Sequence, residues 1–364
     1  MGQRSSRVRS FTDSEQVYDP NPSSSTAEKQ HPHRPDEKPV VVAEGEGDVL
    51  PHSRPKKKRK GANFFKWLSF GGKKKSTKNK GSDQGEMKDQ DIETETSRRS
   101  TDDNICCRYA IGSKLGQGGF GAVYEGTRLA DGQKVAVKFV KKTKHTECNS
   151  IPDHPKPLPK EVALTILANK GPVTDIIKLL DWQDQQDFYV MVLERFSHSM
   201  DVYRFVESNG GSIDEKFARF IMWGATLAAD VCCRRGVYHG DIKLENLLID
   251  FKNLEVKLID FGCGDLLTES AYTRFCGTMM YCPPEYRMKG EFHGKPATVW
   301  TLGILLFRML CGHFPDTFDL YRINMNTWYK PGLTEDCCHL ICSLLQQKPE
   351  RRPDLERIVY HVWF

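Results

Sequence analysis

The stretch Tyr238-His239-Gly240-Asp241-Ile242-Lys243-Leu244-Glu245-Asn246-Leu247-Leu248 carries more chemistry than any other part of this chain. Asp241 and Asn246 stand five positions apart, and Asp260-Phe261-Gly262 begins nineteen positions after Asp241. Asp241 and Asp260 supply carboxylates, Asn246 an amide oxygen and Lys243 an ammonium group. A short loop followed closely by a second can bring such groups together. Oxygen ligands of this kind suit a hard divalent cation, and a carboxylate beside them can orient a hydroxyl nucleophile. A lone Asp or Asn on a loop is usually a turn residue. Four residues of fitting type at these mutual spacings are a far more specific signal.

Toward the amino terminus, Tyr109 to Val140 reads as three strands joined by turns. The first turn holds Gly116-Gln117-Gly118-Gly119-Phe120-Gly121, and Ala122-Val123-Tyr124-Glu125 then reads as extended chain rather than helix. The loop therefore joins two strands, and its glycines let backbone N–H groups approach phosphate oxygens. Seventeen residues after Gly121, Lys138 ends the apolar run Val135-Ala136-Val137 and needs a partner. Glu161 is the first candidate, because a helical pattern opens at Pro159-Lys160-Glu161-Val162-Ala163-Leu164. Glu147 is the alternative, in loop-like surroundings. Phe188 to Arg195 is a further apolar strand running into a polar stretch. Downstream come Gly277-Thr278, Pro283-Pro284-Glu285, an apolar helix over Trp300 to Leu310, and Arg352 between two prolines.

Together these segments resemble a serine/threonine protein kinase. The resemblance implies that Asp241 receives the acceptor hydroxyl's proton, Lys243 neutralises the γ-phosphoryl group, and Asn246 and Asp260 hold Mg2+. It implies that Lys138 grips the α- and β-phosphates of ATP while Glu161 holds it, and that Thr278 bonds near Asp241 and Lys243. Gly116, Gly118, Gly119, Phe120 and Gly121 would cover the phosphates. Leu115, Val123, Ala136, Leu193, Leu248 and Ile259 would line the adenine pocket, with Glu194 and Phe196 at the hinge. Glu285 would pair with Arg352. The implied fold is α+β and bilobal. A small antiparallel-sheet lobe with one helix covers about 104–194, and a mostly helical lobe covers about 195–364. The alternative function is a pseudokinase or scaffold that binds nucleotide and partners without turnover. The presence of Lys138, Asp241, Asn246 and Asp260 argues for the enzyme.

More narrowly, Tyr109 to Trp363 is similar to the Pim family of kinases through IIKLLDWQDQQDFYVMVLER, DIKLENLLID, LEVKLIDFGCGDLL, AYTRFCGT, YCPPEY and VWTLGILLFRMLCG. Three departures stand out. Phe196 replaces the family's hinge proline, which implies a second backbone bond to adenine. Gly240 replaces the arginine that usually meets a phosphorylated loop. This implies activity without phosphorylation of Thr268, Ser270, Tyr272 or Thr273, and a flexible glycine beside Asp241. Asp201 and Glu245 match acids that read basic residues ahead of the target Ser or Thr. Arg204, Leu244, Arg274 and Cys276 stand where others would be, so the implied preference for basic protein substrates is weakened.

Residues 1–103 are rich in Ser, Pro, Lys, Glu and Gln without a sustained apolar period, so disorder is expected there and a kinase domain over 104–364. The chain's net charge of +5 falls almost wholly in this extension. Arg54 to Lys80 holds twelve Lys or Arg and no acid. Pro55–Lys60 fits a signal read by a nuclear import receptor. Phe64, Phe65, Trp67, Leu68 and Phe70 between basic clusters suit an anionic membrane instead. The segment is similar in composition to the effector region of MARCKS-type proteins, with Ser69, Ser76 and Thr77 as switch sites. Met1-Gly2-Gln3-Arg4-Ser5-Ser6 fits N-myristoylation, and one acyl chain plus a basic patch suffices for attachment. A cytoplasmic location is expected, with a nuclear one as the alternative through Pro55–Lys60 and a membrane-associated one through Gly2 acylation and the basic aromatic patch. All twelve cysteines lie at or beyond Cys106 with no CxxC spacing, which favours reduced thiols. A monomer without nucleic-acid binding is expected.

Overall fold

In the computed structural model of the protein, the described residues are 104–119 and 121–364. Phe120 and residues 1–103 lie outside them, and with these the acylation pattern at Gly2 and the basic stretch 54–80. Asn104 caps a single turn, α1 (Ile105–Arg108), by accepting from the Cys106 N–H at 3.0 Å. Strands β1 (Tyr109–Gln117), β2 (Ala122–Arg128) and β3 (Lys134–Lys141) follow. A two-residue ladder, β4 (Cys148–Asn149) with β5 (Leu158–Pro159), leads into α2 (Lys160–Ala168). Strands β6 (Leu179–Asp184) and β7 (Phe188–Glu194) complete an antiparallel five-stranded sheet in the order β1-β2-β3-β7-β6.

Strand alternation decides what each face of this sheet carries. Val135, Val137 and Phe139 of β3 pack with Tyr124, Val190 and Val192 on one side. Ala136, Lys138 and Val140 take the other side, where Val140 meets Val162 of α2 together with Tyr189 and Met191. Lys138 is thereby carried beneath α2.

The larger part of the described chain is mostly helical. Asp201 ends β8 (Ser199–Asp201) and caps α3 (Val202–Ser208); Asp214 caps α4 (Glu215–Arg234) by accepting from the Phe217 N–H. Short β9 (Val237–Tyr238) pairs with β12 (Asp265–Leu266), while β10 (Leu247–Asp250) lies between β11 (Glu255–Leu258) and β8. Then come α5 (Pro284–Lys289), α6 (Gly294–Cys311), α7 (Thr317–Asn324) and α8 (Glu335–Leu344). Every residue of α6 from Ala297 to Phe307 is buried, as expected of a helix that is apolar all round. Seven cysteines (Cys232, Cys233, Cys263, Cys282, Cys337, Cys338 and Cys342) are buried thiols that fill this lobe.

One buried ion pair ties the end of the loop after β12 to the helical core. Arg352 meets Glu285 with two bonds, at 2.8 and 2.7 Å, and both residues are almost fully buried. The guanidinium also donates to the carbonyls of Gln346 and Pro296 and lies over the Trp300 ring. A planar fork with five donors is the group that can satisfy so many acceptors at once. Among the described residues no helix is long and apolar enough to cross a membrane.

Candidate active site

Local pairing explains why Asn246 and Asp260 come together. Strands β10 and β11 form an antiparallel hairpin in which Leu247 faces Leu258. Asn246 immediately precedes one strand and Ile259-Asp260 follows the other, and the Ile259 N–H donates to the Asn246 carbonyl at 2.9 Å. The hairpin thus delivers both loops to one edge. Gly240 fits this edge by geometry. Its φ is +77°, and a Cβ there would fall 2.5 Å from the Cys263 carbonyl oxygen. The flexible glycine expected beside Asp241 is therefore a tightly packed one. Gly277 has the same constraint from the other side, because its Cβ would meet the Gly240 carbonyl oxygen at 2.2 Å.

Around Asp241 the side chains are mutually hydrogen-bonded. Asp241 Oδ1 accepts from the Thr278 N–H at 2.8 Å, and Oδ2 accepts from Asn246 Nδ2 at 3.2 Å. Lys243 Nζ lies 2.7 Å from Asp241 Oδ2 and donates to Thr278 Oγ1 at 2.8 Å. Burial works against the Lys243 charge, but Asp241 outweighs it and raises the ammonium's pKa. Behind this group, the Asp241 N–H donates to His239 Nδ1 at 3.3 Å, so His239 Nε2 is the atom that donates to the Ile259 carbonyl, 3.1 Å away. Burial lowers the His239 pKa and keeps the ring neutral, as that tautomer requires. Phe261 packs edge-on against the ring at 4.9 Å.

A second cluster centres on Lys138. Its ammonium bonds Glu161 of α2 and lies 2.9 Å from Asp260 Oδ1. Tyr189 donates to the other Glu161 oxygen at 3.1 Å. Burial opposes the Lys138 charge, but the two carboxylates overcome it and raise the pKa. Asp260 sits at φ +67°, an uncommon backbone state for a residue other than glycine. Burial pushes its carboxyl up, yet Lys138 and the Gly262 N–H hold it below the ordinary value. Glu147, the alternative partner for Lys138, bonds Lys160 and Arg274 instead, the latter at 3.1 Å.

Between the sheet and the helical lobe lies a cleft of about 540 Å³. Leu115, Gly116, Gly118, Gly121, Val123, Ala136 and Lys138 form its roof. Leu193, Glu194 and Phe196 form its back, and Leu248, Ile259 and Asp260 its floor. Gly119 is not part of the lining, and Phe120 lies outside the described residues. Asp241, Lys243, Asn246 and Thr278 sit beyond the lining as the bonded group described above. Met191 also lines the cleft, though the sequence reading passed over it. Alternation would have found it, since Tyr189, Met191 and Leu193 share one face of β7. Thr165, Ile177 and Phe261 are further lining residues without such a signal. Asp201 lines the mouth but caps α3 and pairs with Arg204 at 3.2 Å. Leu244 is buried, and the Phe196 ring lies 5.1 Å from Lys257 Nζ.

Residues 109–364 match the protein kinase domain family. This chain belongs to that family. It is 38% identical over 262 residues to the serine/threonine-protein kinase pim-2 of Danio rerio, covering 70% of this chain and 84% of that one. It is 34% identical over 260 residues to the serine/threonine-protein kinase prk-2 of Caenorhabditis elegans, covering 70% of this chain and 58% of that one. A PAS domain-containing serine/threonine-protein kinase of Mus musculus is 32% identical over 260 residues, which span 18% of its length. The chain is accordingly a Pim-like member, an ATP-dependent protein kinase of the serine/threonine type, from a family that uses ATP with a divalent metal.

Proposed function

We propose that this kinase transfers the γ-phosphoryl group of MgATP to Ser or Thr hydroxyls of protein substrates without needing phosphorylation of its own activation segment. The bonded group Asp241–Lys243–Asn246–Thr278, set beside the Lys138–Glu161–Asp260 cluster, carries the reading. Asp241 accepts and orients the substrate hydroxyl, and Lys243 offsets charge on the transferred group. Lys138 holds the α- and β-phosphates in the cleft. Catalysis then comes from positioning and charge neutralisation, with no covalent intermediate.

The residues present suit a magnesium ion. Asn246 donates through its nitrogen to the Asp241 carbonyl and carboxylate, which leaves its amide oxygen to offer. Asp260 uses Oδ1 for Lys138 and Gly262, which leaves Oδ2. Among the described residues no group of three or more His, Cys, Asp or Glu could hold a metal. A site of one carboxylate and one amide completed by phosphate oxygens is the ordinary way Mg2+ is bound. When bound, Mg2+ supplies charge neutralisation at the phosphate oxygens.

Two observations support independence from phosphorylation. Gly240 offers no guanidinium for a phosphate to meet. Glu147 bridges Lys160 at the start of α2 and Arg274 of the activation segment, the sort of anionic link a phosphate would otherwise make. The Asp201–Arg204 pair and the burial of Leu244 support only a weak preference for basic residues ahead of the acceptor. The Phe196 N–H supports a second backbone bond to adenine. Peptide phosphotransfer by phosphatase-treated full-length protein tests the reading, with Asp241→Asn as control. The treated enzyme should keep its rate while the variant loses it and still binds ATP. Loss of the rate on phosphatase treatment overturns the independence. An inactive wild type that still binds nucleotide favours binding without turnover.

A further inference from the structure

The kinase chemistry leaves two thiols beside Asp241 unused. Cys263 directly follows Asp260-Phe261-Gly262 and is buried, whereas Cys276 directly precedes Gly277-Thr278 and is exposed. The Cys263 thiol donates to the Cys276 carbonyl at 3.1 Å. The Cys276 thiol is held down at about 6, with Cys263 as the leading cause. Lys160 and Arg274 add positive potential, while burial and Asp241 oppose it. An accessible thiolate poised next to a second cysteine is the arrangement of oxidation-sensing sites.

We propose that Cys276 and Cys263 form a reversible disulfide site that answers hydroperoxides and switches the kinase off. The Cys276 thiolate attacks one peroxide oxygen, the O–O bond breaks, and hydroxide leaves. The sulfur is oxidised by two electrons to the sulfenic acid, and the peroxide is reduced. Cys263 then attacks the Cys276 sulfur as its own proton is lost. The S–S bond forms, the S–O bond breaks, and the hydroxyl leaves with that proton as water. An external dithiol reverses the reaction by exchange.

The location gives the bond its effect. A disulfide holds its two sulfurs about 2.05 Å apart, so forming it draws the two segments together. Gly240 is packed against the Cys263 carbonyl, and the Thr278 N–H bonds Asp241 two residues beyond Cys276. Misplacement of a catalytic group by about 1 Å costs a reaction up to about a hundredfold. The disulfide does not depend on the proposed transfer reaction, but its effect on rate rests on it.

The test uses reduced full-length protein treated with hydrogen peroxide, trapped with iodoacetamide, digested and read by mass spectrometry beside the peptide phosphotransfer rate. The expected result is a linked Cys263–Cys276 peptide with a rate at least tenfold lower, both reversed by dithiothreitol. Cys276→Ser and Cys276→Ala, each compared with its own reduced rate, should lose the linked peptide and the peroxide sensitivity. Cys263→Ser should leave a dimedone-reactive sulfenic acid at Cys276. The proposal is overturned if wild type forms no such peptide, if links run through Cys107 or Cys148 instead, or if linked enzyme keeps its rate. Untreated protein without phosphotransfer overturns the catalytic reading, and the linked peptide then still decides the disulfide.

Discussion

Replacing Lys138 by methionine removes an ammonium group from a site where it and Glu161 are each 5% exposed. Methionine is close in length, so the loss is mainly electrostatic. Burial already pushes the Glu161 carboxyl up, and without the ammonium it should take a proton in the folded protein. An unfolded glutamate titrates near 4.3, so protonation at pH 7.5 costs about 4 kcal/mol, in line with the 3–5 kcal/mol typical of a broken buried pair. The sign follows. A carboxyl whose folded pKa lies above its unfolded value stabilises the fold at low pH, and that stability is lost as pH rises. From pH 6 to pH 8 the variant should lose stability relative to wild type, whose ammonium favours the ionised carboxyl, up to a ceiling of about 3 kcal/mol for one proton over two pH units. For the domain over residues 109–364, unfolding entropy of about 0.5 kcal/mol per kelvin converts that ceiling to about 5 °C. Thermal melting of both proteins at the two pH values reads the difference directly. A gap between wild type and Lys138→Met that stays constant within about 1 °C would refute the reasoning, because it would mean that removing the ammonium does not protonate Glu161. The phosphotransfer rate should also fall by about two to three orders of magnitude, as for loss of one preorganised charge.

Arg352→Met should lower the melting temperature by about 6–9 °C, since it leaves Glu285 buried without its cation at a cost of about 3–5 kcal/mol. A drop below 2 °C in a thermal melt would count against that pair as the anchor of the activation segment. Glu147→Gln should reduce kcat/KM severalfold with nucleotide affinity little changed, because two half-exposed ion pairs are worth about 0.2–1 kcal/mol each. Unaltered steady-state kinetics would remove Glu147 from the account of phosphorylation independence. Alkylation of Cys276 by iodoacetamide should follow its thiolate, rising with pH through a midpoint of about 6. Peptide mapping across a pH series that instead places the midpoint above 8 would argue against Cys263 holding that thiol down.

Much of the site was legible before any coordinates because its key residues are fixed by local chain geometry. Asn246 and Asp260 bracket a short hairpin, so their spacing already encodes their proximity. The run Val135-Ala136-Val137-Lys138 encodes by alternation that Lys138 shares a face with Ala136. The apolar helix around Trp300 declares its burial through composition alone. Other features depend on which distant segments happen to pack together. The helical pattern opening at Pro159 favoured Glu161 over Glu147 as the partner of Lys138, but spacing alone could not bring them together. The choice follows from α2 lying against β3 and β7, which turns Glu161 inward and leaves Glu147 to Lys160 and Arg274. Nothing in the sequence announces a contact between Glu147 and Arg274, 127 positions apart, or between the Cys263 thiol and the Cys276 carbonyl. Gly240 read as looseness, whereas the approach of the Cys263 backbone makes it a close fit. Residue type and periodicity thus determined the elements, the family and the reacting groups, since those are written over a few residues of chain. Pair identities, charge states and the accessible thiol were decided by tertiary packing, because burial and Coulomb energies depend on distances that only the folded chain defines.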